Sequence, residues 1–266
     1  MKNIARAAII AILTGVFCLC GFKLFQMSEG YIHEAQVKDS LAAYSPVASS
    51  DSQPPNIDTP EPTLTNSTAS DVSPETALPD DPPIKTIVNQ NIVDMQNEIN
   101  RDVAGWLTIP GTKIDYPFVK GVDNDYYIKR DLYGNDALSG TIFMDERNAI
   151  DYSDFNTILY GHNMRNGTMF GELQLYTDEW YFNNNKDGTL YLPYGTYTLE
   201  IIAYMVVRSD DEFIYDPSVD NDDFLRYVKE NARNYRDPAT YNNVLTLSAC
   251  GYEFESARVV VIANIV

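Results

Sequence analysis

Cys250 and Arg258 are the residues from which a chemistry can first be read. Val244 to Ala249 is apolar and β-branched enough to predict a strand that runs into Cys250. Arg258 to Val266 predicts a second strand, and Gly251 to Ala257 is the short loop between them. Paired as a hairpin, the end of the first strand lies beside the start of the second, so thiol and guanidinium share one end of a sheet. Strand alternation puts Ser248 and Cys250 on one face, with Leu247 and Ala249 on the other. A thiol attacks as the thiolate, and its reference pKa of about 8.5 falls beside a cation. Taken alone, Cys250 reads as a small core residue. But it is the only cysteine after Cys20, so it has no disulfide partner nearby, and a charged residue waits close at hand.

The chain also supplies a base. His162 follows the apolar run Thr157-Ile158-Leu159-Tyr160, within Tyr160-Gly161-His162-Asn163-Met164. Alone it is a histidine in a turn. It is nevertheless the only histidine of the folded region, as Cys250 is its only cysteine. A cysteine and a histidine brought together by the fold make a standard nucleophile and base. Arg258 adds a permanent cation for a thiolate or a developing oxyanion. The other histidine, His33, sits in a polar juxtamembrane stretch and reads as solvated.

The elements that must position these groups are mostly short strands. Ile87, Val88, Ile92, Met95, Ile99 and Val103 recur at helical spacing and predict an amphipathic helix over Thr86 to Val103. Strands follow at Gly105 to Ile109, Ile114 to Val119, Gly140 to Met144, Thr157 to Tyr160, Thr189 to Leu192 and Tyr197 to Val207. Short helices are expected over Tyr126 to Asp131, Thr168 to Leu175 and Asp178 to Asn183, and a longer one over Asp222 to Arg233, before the final hairpin. Seven or eight strands with few helices predict a closed barrel or a sandwich.

Ahead of this region the chain changes character. Ala7 to Phe22 is an uncharged run of sixteen residues flanked by Lys2, Arg6 and Lys23. As a helix it rises about 24 Å, a little short of a hydrocarbon core of about 30 Å, and flanking Arg and Lys can snorkel to close the gap. An uncleaved membrane anchor is the expectation, with the N-terminus inside and the remainder outside. A cleaved signal peptide is the rival, although bulky residues follow Phe22 where a small-residue cleavage site belongs. Cys18 and Cys20 read as small buried residues of this run. The expected organisation is an anchor over residues 1–27, a disordered extracellular tether over 28–83 and a folded domain over 84–266. The Ser-, Thr-, Pro- and Asp-rich composition of Ser45 to Pro83 carries the tether, although Ser28 to Tyr44 is mixed enough to form a short helix. Asn66-Ser67-Thr68 matches a short glycosylation pattern.

The bulk numbers exclude partners more than they name them. Acidic residues number 38 against 19 basic, a net charge of -19, which argues against nucleic acid or an anionic membrane surface as the main partner. Two histidines and three scattered cysteines do not build a zinc site by themselves, and no cofactor is expected.

With these residues in view, Thr246-Leu247-Ser248-Ala249-Cys250 and the following Arg258 resemble the signature of the sortases. Tyr160 to Met164 with Gly167-Thr168-Met169-Phe170, Asp115 to Val119 with Asp123 to Tyr127, and Gly140 to Asn148 are similar to the class B form, over Gly105 to Val266 in all. Ala249 departs from the usual Thr, on the face away from Cys250. Gly251 stands where some class B members carry an acidic substrate contact, so that contact does not transfer. The resemblance implies an eight-stranded β-barrel with N-terminal helices and a helix-containing insertion before the cysteine strand. It implies a cysteine transpeptidase in which Cys250 attacks the threonine carbonyl of a client's C-terminal sorting signal, His162 moves protons and Arg258 holds the oxyanion. By the same match Asn124, Tyr160 and Ser248 are candidate substrate contacts, although Asn124 could merely cap a helix and Tyr160 merely pack. The implied partners are surface proteins bearing the signal, and an amine of peptidoglycan or of another surface protein. A cysteine peptidase that releases the acyl group to water, and a surface domain that binds a wall polymer without catalysis, stay open as alternatives.

Overall fold

The computed structural model describes residues 2–46, 88–251 and 253–266. Among the described residues nine strands form one sheet: β1 (Val103–Thr108), β2 (Asp115–Val119), β3 (Ile142–Met144), β4 (Asn156–Tyr160), β5 (Asp187–Leu192), β6 (Gly195–Arg208), β7 (Asn234–Tyr235), β8 (Val244–Cys250) and β9 (Ala257–Ile265). Their order is β5-β1-β2-β3-β4-β8-β9-β6-β7, and β5 also pairs with β6. That last pairing closes eight strands into a barrel, the expected architecture, and leaves the two-residue β7 outside the ring on β6.

Alternation along the strands builds two cores at once. Leu245, Leu247 and Ala249 of β8, with Val259, Val261 and Ala263 of β9, point into the barrel among Leu107, Phe118, Ile142 and Leu159. Val244 of β8 and Val260 and Ile262 of β9 point outward, against Ile214 and the buried face of α4 (Asn221–Asn231). Both faces of this hairpin are therefore covered, which explains why its sequence is almost unbroken in apolar residues. The Asp220 side chain accepts from the backbone N–H groups of Asp222 and Asp223 and starts α4, leaving Phe224 and Val228 to meet the sheet.

A third cluster joins the barrel to the N-terminal helices. The first helix, α1 (Lys2–Leu41), is continuous, and a single 3-10 turn over Ala42–Tyr44 follows it. It is long and apolar enough to cross a membrane, and its large apolar residues from Ile12 to Phe25 are exposed on the helix surface, as are Cys18 and Cys20. Its far end docks. Leu41 is buried with Trp106, Val119 and Leu132, the Lys38 ammonium lies 4.2 Å from the centre of the Tyr116 ring, and Tyr44 donates to Glu98 at 2.6 Å. The expected tether over 28–83 is thus corrected at its start: residues 28–44 are helical and packed on the barrel, because Leu41 and Val37 supply an apolar stripe. The rest of that tether from residue 47 onward, with Asn66, lies outside the described residues. His33 is corrected too. Its Nε2 lies 2.9 Å from Asp131, a carboxylate only 3% exposed, so the ring is partnered rather than free in solvent.

The helix expected over Thr86 to Val103 is shorter, α2 (Gln90–Glu98), with Thr86 and Ile87 outside the described residues. Asn100 ends it: its Oδ1 accepts from the Asp102 N–H, and its amide donates to Tyr127 and to the Leu132 carbonyl. Val103 then belongs to β1, opposite Val119. The segments over Tyr127–Lys129 and Gly171–Thr177 are 3-10 turns, and α3 (Glu179–Asn184) is capped by the Asp178 side chain.

Candidate active site

Two parallel strands fix the site. In β4 and β8, Tyr160 lies opposite Ser248, so the chain leaves both strands at the same rim of the barrel. His162 follows β4 by two residues, and Cys250 ends β8. In the antiparallel pair β8–β9, Cys250 is the register partner of Arg258, so their side chains stand on one face, as alternation predicts. Two bonds hold the histidine loop to the cysteine strand: Gly161 N–H to the Ser248 carbonyl at 3.1 Å, and the Asn163 amide to the Cys250 carbonyl at 2.7 Å. Gly161 is required for close approach, since a Cβ there would lie 2.7 Å from the Phe170 ring.

Cys250, His162, Arg258, Asn124, Tyr160 and Ser248 all line one cleft of about 190 Å³, floored by Phe143 and Tyr215. Cys250 is exposed at its mouth. His162 Nε2 lies 2.6 Å from the Ile128 carbonyl. A carbonyl can only accept, so Nε2 carries a hydrogen and Nδ1 is left as the basic nitrogen of the neutral ring. Arg258 donates to the Ala257 carbonyl at 3.0 Å and, among the described residues, forms no ion pair with a carboxylate, whereas Arg147, Arg208 and Arg233 each do. Its charge is therefore free to act on the cleft.

Beneath the cleft runs a polar network that sequence reasoning did not single out. Asp145 is fully buried and accepts from the Arg147 backbone, from the Arg147 guanidinium on both oxygens and, at 2.8 Å, from the Tyr160 hydroxyl. Burial by itself would raise this carboxyl. The Arg147 bonds and the Tyr160 hydroxyl outweigh it and hold the carboxyl below its usual range. Burial first, and then the neighbouring Asp145 carboxylate, push the Tyr160 phenol well up. Asn124 does not cap the following turn; Asp123 accepts the turn's N–H groups instead. The Asn124 Oδ1 accepts from the Glu146 N–H at 2.9 Å and so clamps the loop that carries Asp145. Ser248, although it lines the cleft, is 1% exposed, and its hydroxyl lies 2.9 Å from that of Tyr215. Asp145 sits inside the Gly140 to Asn148 block and Tyr215 inside the insertion before the cysteine strand. Asp145 ends the apolar run Ile142-Phe143-Met144, which is the local signal that could have flagged it, whereas Tyr215 follows Asp210-Asp211-Glu212 in a polar stretch that flags nothing.

A family model described as a sortase domain matches residues 107–266. The chain belongs to the sortases, in their class B. It is 33% identical over 186 residues to Sortase B of Listeria monocytogenes, covering 67% of this chain and 75% of that one. The crystal structure of Clostridium perfringens sortase B superposes with a TM-score of 0.61 at 35% identity, over 65% of this chain and 98% of that chain. A Staphylococcus aureus sortase B–substrate complex gives 0.62 at 28% identity, over 67% and 86%. As a sortase the chain is a cysteine transpeptidase of surface-protein anchoring.

Proposed function

We propose that this sortase cleaves a C-terminal sorting signal after threonine and passes the acyl group to an amine outside the cell, with Cys250 as nucleophile, His162 as acid and base, and Arg258 as oxyanion partner. The observation that carries the reading is that these three side chains, from β8, β9 and the end of β4, line a single cleft. The Cys250 thiolate attacks the threonine carbonyl carbon, forming a C–S bond and pushing the electron pair onto oxygen. Arg258 offsets that charge. Collapse of the intermediate breaks the C–N bond, and protonated His162 gives its proton to the departing amine. The incoming amine then attacks the thioester carbonyl, neutral His162 takes its proton, and the Cys250 thiolate leaves. Donors aimed at such an oxyanion are worth about 3–4 kcal/mol.

Asn124 and Tyr160 contact the bound peptide on this reading, and Ser248 contributes its hydroxyl from the cleft wall. The S. aureus sortase B–substrate complex, on the same fold, supports a sorting-signal peptide as the ligand here. Peptidoglycan amines, or a lysine of another surface protein, are the acceptor class. Lys2 and Arg6 precede the apolar run of α1, which supports an inward N-terminus and an outward catalytic domain.

A fluorogenic pentapeptide library, fixed at proline in position two and threonine in position four, tests the reading. Incubated with residues 28–266, with and without an added amine, it is expected to give cleavage after threonine and an amine-dependent ligated product. Cleavage that yields only free acid at every amine concentration contradicts transfer and leaves a peptidase.

A further inference from the structure

Tyr215 occupies a place that packing alone does not require. It lies in the segment between β6 and α4, is 9% exposed and lines the cleft. Its backbone is pinned on both sides. The buried Asn156 amide of β4 donates to the Ile214 carbonyl at 2.9 Å and to the Asp216 carbonyl at 3.3 Å. Asn156 in turn accepts from the Thr246 hydroxyl of β8 at 2.7 Å. The Tyr215 ring lies 6.1 Å from that of Tyr160 at 24°, a stacked pair that fixes where the phenol points. The phenol meets Ser248 Oγ at 2.9 Å. Ser248, on the outward face of the cysteine strand, is thus bonded to Tyr215 itself, and Thr246 on the same face is tied through Asn156 to the residues on either side of it.

The direction of the bond follows from chemistry. A phenol is the stronger acid and its oxygen the weaker acceptor, so the tyrosine donates and the serine accepts. Burial pushes the Tyr215 phenol up to about 12, so the donor keeps its proton at neutral pH. An accepting Ser248 keeps its own hydrogen for another partner, and Ser248 borders the cleft.

We propose that Tyr215 is a positioning residue of the transfer reaction, which donates to Ser248 Oγ and so turns the Ser248 hydroxyl hydrogen toward the backbone of the bound peptide. The inference rests on the reading of this cleft as the peptide site. It assigns the insertion before α4 a task at the site besides covering the sheet.

The test compares Tyr215→Phe, Ser248→Ala and the double variant of the full chain, on the library's fastest-cleaved peptide. Tyr215→Phe keeps the ring and loses only the hydroxyl. The expected result is about a tenfold loss in kcat/KM for each single variant, no further loss in the double, and alkylation of Cys250 by iodoacetamide within twofold of wild type from pH 5 to 9. A Tyr215→Phe rate within twofold of wild type overturns the proposal. So does multiplication of the two losses in the double variant, or a shifted alkylation profile, which would mean that the strand rather than the hydroxyl had moved. Cys250→Ala runs beside them. Full cleavage by that variant would overturn the catalytic reading itself, a result distinct from any outcome at Tyr215.

Discussion

At the residue scale the cleft separates groups that react from groups that hold. On the proposed mechanism Arg258 is of the first kind. Among the described residues the one hydrogen bond of its side chain runs to the adjacent Ala257 carbonyl, so replacing it costs the fold little and the chemistry much. Arg258→Lys loses the planar fork. The expected result is a fall in kcat of about a hundredfold, read by peptide cleavage, with urea stability changed by no more than about 0.5 kcal/mol. Asp145 is of the second kind. Its folded pKa is depressed, so its contribution to stability is fully present above its unfolded value of about 3.9 and is lost as pH falls through the folded one. Asp145→Asn is expected to cost about 2 kcal/mol in urea unfolding at pH 6, with the gap to wild type narrowing steadily as pH falls below about 4. A gap that widened on acidification would contradict this. The Cys250–Arg258 pairing was legible in the sequence because a hairpin is local. Asp145 and Tyr215 were not, because each gains its role from partners that are remote in the chain or that burial alone makes costly to lose.

At the scale of elements, the strands were legible and the helix ends less so. β8 and β9 announce themselves by apolar runs buried on both faces. Helical spacing carried the expected α2 through Ile99 to Val103, yet the Asn100 side chain closes the turn and hands Val103 to β1. A side-chain bond of this kind competes with the helix without altering the apolar period. The β4-to-His162 junction depends on the space beside Gly161. Gly161→Ala would press a methyl against the Phe170 ring. It is expected to cost about 1–3 kcal/mol of stability and to lower kcat more than it raises KM, because it moves His162 rather than the peptide contacts. Thermal melts and steady-state kinetics on the same sample check both.

At the scale of the molecule, the main revision is that the long N-terminal helix α1 is, at its far end, also part of the folded unit. Composition marked Ser45 to Pro83 as linker and by extension loosened the residues before it. The docking of residues 28–44 depends on contacts with Trp106, Tyr116 and Asp131, which no local pattern in that stretch reveals. A protein that begins at residue 84 therefore leaves Trp106 and Leu132 without Leu41. It is expected to unfold at lower urea than residues 28–266, by about 2–5 kcal/mol, the usual cost of emptying a leucine site, with Trp106 fluorescence shifted to the red. Equal stability of the two would contradict the docking.

The central claim, that one rim of the barrel performs acyl transfer through Cys250, is tested most directly by intact-protein mass spectrometry. Residues 28–266 are quenched in acid during turnover of the cleaved peptide. The account predicts an added mass equal to the acyl fragment, mapped to Cys250, which disappears on addition of an amine as the ligated peptide forms. Turnover without an adduct on Cys250, or an adduct mapped to another residue, would contradict it.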